Sequence, residues 1–100
     1  MSKLIVIDKD SGMEGDYKFF CPGCKWHHLV WTTTRNHNQC LWEFNGDIEK
    51  PTFSPSLLIR WGDGNVCHSF INNGMIQFLP DCTHTLAGKT VELPDINNQP

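Results

Sequence analysis

What this sequence lacks narrows its class before any motif is read. No apolar run approaches the roughly 18–20 residues of a membrane-spanning helix, so no membrane role is expected. The opening MSKLIVIDKD holds only the short apolar run Leu4–Ile7, too little for a secretory signal, and the cytoplasm is the expected location. There is no dense basic run: 8 Lys and Arg stand against 11 Asp and Glu, for a net charge of -3. Nucleic-acid affinity draws mainly on neutralised phosphates, so a nucleic-acid role is disfavoured, while a partner protein with a basic surface fits the charge. No 3.6-residue periodicity persists for three turns. Repeats, low-complexity segments and internal linkers are also missing, which leaves one domain over residues 1–94 and a polar tail over 95–100. The His-x-Glu deaminase pattern, the His-Glu-x-x-His hydrolase pattern and the glycine-rich phosphate loop are absent too.

The cysteines are the first positive signal. There are 5, at positions 21, 24, 40, 67 and 82. An odd number in a reducing compartment reads as thiolate ligands with leftovers rather than a disulfide framework. Two of them sit in FCPGCKWHH, residues 20–28. Redox chemistry of the thioredoxin kind would place such a pair at a helix start. Here Pro22-Gly23 favours a tight turn and Lys25 to Thr34 reads as a strand, so a metal knuckle is the better reading.

The rest of the chain reads as short strands. These are Leu4 to Ile7, Tyr17 to Phe20, Trp26 to Thr34 and Cys40 to Phe44, the last closed by Asn45-Gly46. Glu49 to Pro55 carries two prolines and is expected to be an extended edge or connecting segment. Residues 57–61, 66–71 and 75–79, separated by Gly62-Asp63-Gly64-Asn65 and Asn72-Asn73-Gly74, form a three-stranded antiparallel meander. A weak extended signal covers Thr90 to Leu93. The fold expected is a small mainly-β domain of antiparallel hairpins clamped by a zinc-ribbon-like metal site.

The meander supplies the missing half of that site. Cys67 lies near the open end of one strand and Cys82 just beyond the open end of its partner, so pairing brings them together. The preferred ligand set for one structural zinc ion is therefore Cys21, Cys24, Cys67 and Cys82. His68 and His84 are alternative ligands, in a Cys₃His or a Cys₂His₂ site. Cys40 reads as a small buried hydrophobe in its strand.

Taken with Asn45-Gly46-Asp47, PTFSPS at 51–56, CHSFI at 67–71 and DCTHTLAG at 81–88, these residues resemble a family of small uncharacterised proteins of phages, prophages and bacteria. Some members carry an ammonia-monooxygenase label. The resemblance runs from about Cys21 to Pro94 and implies host takeover or inhibition of a bacterial defence protein, in the host-cell cytoplasm. It supplies no catalytic residue. The oxygenase label suits a redox metal with an open position, whereas a cysteine-rich tetrahedral site suits structural zinc.

A non-enzymatic, zinc-stabilised protein-binding module is the preferred reading, its partner a host or bacterial protein. The alternative is a zinc-dependent hydrolase or deaminase-like enzyme with an open Cys/His site, for which His68, Asp81 and His84 are the catalytic candidates, with Asp47 nearby. PTFSPS reads as a covered edge or chain reversal packed by Phe53, or else as a recognition ridge. Trp26, Trp31, Trp42 and Trp61 are mostly expected in the core; an exposed one would be an anchor for a partner.

Overall fold

The computed structural model describes residues 2–8, 10, 12 and 14–96; positions 97–100 of the expected tail lie outside the described residues. Among the described residues, eight strands follow in chain order: β1 (Ile5–Val6), β2 (Tyr17–Cys21), β3 (Trp26–Val30), β4 (Glu43–Phe44), β5 (Phe53–Arg60), β6 (Val66–Asn72), β7 (Met75–Phe78) and β8 (Thr90–Glu92). β1, β2 and β3 form one sheet, and β4 to β8 form a second in sequence order. Every pairing is antiparallel. The small mainly-β fold with its meander is thus the one expected, and none of the described residues forms a helix able to cross a membrane.

Period-2 alternation decides which side chains meet. β6 turns Cys67, Ser69 and Ile71 inward and leaves His68, Phe70 and Asn72 toward the outer face. β7 does the same with Ile76 and Phe78 inside. These pack with Phe19, Cys21 and Val30 of the first sheet, and with Leu4, Phe53, Leu57 and Leu93, in one buried cluster. The two sheets therefore share a core, and sulfur atoms form part of it.

Three local expectations change. The segment read as a connecting edge is the start of β5, which runs unbroken through Pro55 and lies between β4 and β6. A register shift between Phe53 and Leu57 accommodates the proline, because its missing N–H can be tolerated only where the ladder is already interrupted. Cys40 is exposed rather than buried, since its loop is held by the Asn36 side chain and never joins a strand. Trp26 and Trp61 are 72% and 41% exposed, while Trp42 is buried. Trp26 shares the core-facing side of β3 with His28 and Val30 but stands at the strand's first position, and Trp61 lies one residue beyond β5, so both sit at strand ends rather than within the buried stretch.

Candidate active site and the neighbouring metal centre

β6 carries two kinds of chemistry on its two faces. Cys67 points into the core and His68 points out, as adjacent strand residues must. On the outer face, His68 pairs directly with Leu58, so Ser56, two residues earlier on β5, is its diagonal neighbour. The Ser56 hydroxyl lies 3.0 Å from His68 Nε2. The other ring nitrogen, Nδ1, lies 3.1 Å from an Asp81 carboxylate oxygen. With the proton on Nδ1, His68 donates to Asp81 and Nε2 accepts from Ser56. Hydroxyl, imidazole and carboxylate thus stand in hydrogen-bonded series, the order in which a nucleophile, a base and an orienting group can be arranged.

The chain around Asp81 is stitched to the strand it serves. The Leu79 N–H donates to the His68 carbonyl at 2.9 Å, and the Thr83 N–H donates to the Val66 carbonyl at 3.0 Å. Between them, the Cys82 sulfur accepts from the His68 N–H and donates to the His68 carbonyl, both at 3.2 Å. Asp81 is thereby fixed against the backbone of the residue it orients. Across the site, the Trp42 indole N–H donates to the Ser56 carbonyl at 3.3 Å and holds the strand that carries Ser56.

Behind β6, the Sγ atoms of Cys21, Cys24 and Cys67 and a ring nitrogen of His84 lie within 4.8 Å of one another. Cys82, preferred as the fourth ligand, is not among them because its sulfur is engaged by the His68 backbone. His84, held as an alternative, takes that place. His68, the other alternative, faces away on the outer surface, with its ring committed to Ser56 and Asp81. Asp47 caps its own turn, accepting from the Glu49 and Lys50 N–H groups, and joins neither cluster.

The donor set fits a tetrahedral ion. Thiolates about 2.3 Å from such an ion stand about 3.8 Å apart, and the Cys21 and Cys67 sulfurs are 3.9 Å apart. The Cys24 N–H points at the Cys21 sulfur at 3.4 Å. Nε2 of His84 is buried and has no hydrogen-bond partner among the described residues; an ion on Nε2 puts the proton on Nδ1, and the 3.2 Å contact from the Leu86 N–H to Nδ1 must then relax. Three thiols this close cannot all ionise alone. The hydrogen bond from Cys67 holds Cys21 down to about 4, against burial, with help from His28. Burial and the Cys21 charge push Cys24 up to about 12, and donation to Cys21 drives Cys67 upward as well. A dication relieves that conflict.

In the sequence Ser56 stands out only as part of PTFSPS, a covered edge or a recognition ridge. The signal that finds it is the strand register: once Leu58 is opposite His68, a serine two residues before Leu58 must share that face. Were all four donors to bind one ion, its tetrahedral coordination would be complete, with no position for the water of a zinc hydrolase or deaminase.

Comparison with curated proteins and with solved structures finds no match. Residues 1–79 match the family model described as bacterial ubiquitination-like system serine protease (BubE). This match supports a small bacterial family and carries neither the phage nor the ammonia-monooxygenase naming. It also overturns the expectation of a non-enzymatic inhibitor of a host or defence protein, since the family is described as hydrolytic, and it favours the zinc-hydrolase alternative no better. With 79 of its 100 residues matched, the chain belongs to the bacterial ubiquitination-like system serine protease family.

Proposed function

We propose that the protein is a serine peptidase that cuts acyl bonds formed by the C-terminal tail of a ubiquitin-like protein. The observation that carries this reading is the Ser56–His68–Asp81 series, with contacts of 3.0 and 3.1 Å, together with the family description. In the first step the Ser56 oxygen attacks the carbonyl carbon while His68 Nε2 takes the hydroxyl proton. Asp81 holds the ring and stabilises the imidazolium, without itself taking the proton. The C–N bond then breaks as His68 passes that proton to the leaving amine. Water, deprotonated by His68, releases the acyl group and regenerates Ser56.

The Cys21, Cys24, Cys67 and His84 cluster holds zinc in this reading, and its role is structural. It joins the β2–β3 turn, β6 and the chain after Asp81, so it fixes the distance between two members of the catalytic series. The test is covalent labelling with a small fluorophosphonate followed by peptide mapping. A single adduct on Ser56, lost in Ser56→Ala, is expected. An unlabelled but folded and zinc-loaded protein would sink the reading.

A further inference from the structure

All 4 tryptophans of the chain, Trp26, Trp31, Trp42 and Trp61, border one groove of 390 Å³, together with Leu58 and Arg60. That volume lies in the range of ligand-binding clefts. The groove runs between β3 and one edge of β5, and its floor on that side is open backbone. β4 covers β5 only at Phe53 and Ser54, while β6 pairs along the other edge, from Leu57 to Arg60. The Ser56 carbonyl shows which edge is which, because it receives the Trp42 indole N–H on the groove side. By the period of a strand, the N–H and C=O groups of Leu58 and Arg60 point to that same edge. No described strand pairs with them there.

We infer that this groove binds the substrate's tail as an extended strand paired with the Leu58–Arg60 edge, resting on the proposed peptidase reading. An unpaired edge beside the nucleophile supplies main-chain hydrogen bonds in a fixed register, and the tryptophans supply contact area for alternate side chains. Trp42 touches both the groove and the backbone of Ser56, so a chain paired along this edge arrives at the reacting hydroxyl. The groove has no acidic residue in its lining and includes Arg60. In a chain of net charge -3, that local balance suits an apolar tail that is neutral or acidic rather than basic. The occupant is therefore an extended, apolar polypeptide tail.

The test compares a small fluorophosphonate with a fluorogenic, acetylated apolar tetrapeptide ester. Leu58→Pro removes one edge N–H while leaving the β6 ladder intact, and Trp61→Ala removes groove wall. Both variants should still label at Ser56 yet show KM for the tetrapeptide ester raised about tenfold, the size expected for a lost main-chain hydrogen bond or aromatic contact. The same ester with alternate N-methylated amides should lose about as much on the unmodified protein, which keeps the test valid if Leu58→Pro fails to fold. Normal labelling with unchanged KM across the variants and the N-methylated ester would overturn strand pairing alone. Absence of labelling in the wild type would overturn the peptidase reading, and the inference with it.

Discussion

Gly23 lies directly against the imidazole of His84: a Cβ built on Gly23 would fall within contact of three atoms of that ring, closer than packed atoms approach. The glycine of the CPGC turn thus makes room for the fourth member of the Cys/His cluster. Gly23→Ala should displace His84 and cost about 1–3 kcal/mol, in the range of overpacked cores. Thermal unfolding of the zinc-loaded protein, with a chelator competition alongside, measures it. Unchanged melting and unchanged zinc retention would remove His84 from the ligand set.

Removing the ion should loosen the catalytic series as well as the fold. Cys67 is the neighbour of His68, and His84 follows Asp81 by three positions. Native mass spectrometry should find one zinc per chain, and zinc-edge absorption should show three sulfurs and one nitrogen. Chelation should lower the melting temperature and abolish Ser56 labelling, with both restored by zinc. Full labelling of metal-free protein would separate the two sites.

Within the series itself, Asp81→Asn should leave the strands and the ion in place, because its side chain is 55% exposed. Turnover should nonetheless fall about ten-thousand-fold, as when such a carboxylate is neutralised elsewhere. Steady-state kinetics on a peptide ester checks this. A loss below tenfold would show that His68 is oriented by its backbone alone.

Cys82 discriminates between the two readings of the cysteines. Cys82→Ala should keep one zinc per chain and lose about tenfold in kcat, since Asp81 loses its attachment to the His68 backbone. Cys82→Ser, which preserves a donor and an acceptor, should recover part of it. Loss of the ion in Cys82→Ala would return this residue to the ligand set.

At the far end of the molecule, Lys3 reaches Glu92 at 2.6 Å and Asp95 at 2.7 Å. Burial presses the Lys3 ammonium down, but its hydrogen bonds to Asp95 and Glu92 outweigh that and raise it above the ordinary 10.5. The hydrogen bond from Lys3 holds the Asp95 carboxyl below the usual 3.8. The Asp95 contribution is therefore present above its unfolded value and lost as pH falls through the folded one. The Lys3 contribution is present below 10.5 and lost as pH rises past its folded value. Exchange protection of the Ile96 N–H, which donates to the Ser2 carbonyl at 2.9 Å, should hold between those limits and drop beyond them. Lys3→Met should remove that pH dependence.

The β-strand pattern was legible because alternation and turn residues are local properties: the meander of β5, β6 and β7 follows from two polar turns and three apolar runs. The metal cluster was legible in part. Cys21, Cys24 and Cys67 are brought together, yet the choice between Cys82 and His84 depended on how the chain turns after β7. Neither residue's spacing settles that. Cys82 faces the His68 backbone and His84 comes round beneath Gly23.

By itself, then, the sequence determined the class of fold and that cysteines from distant segments would share a site, since periodicity and ligand chemistry are written residue by residue. Only the tertiary structure decided the Ser56–His68–Asp81 series. Ser56, His68 and Asp81 are separated by 12 and 13 residues, and they meet because Leu58 stands opposite His68. A register slip of one residue would turn His68 into the core and Cys67 outward. Register is settled by packing between the sheets, which no single stretch of the chain contains.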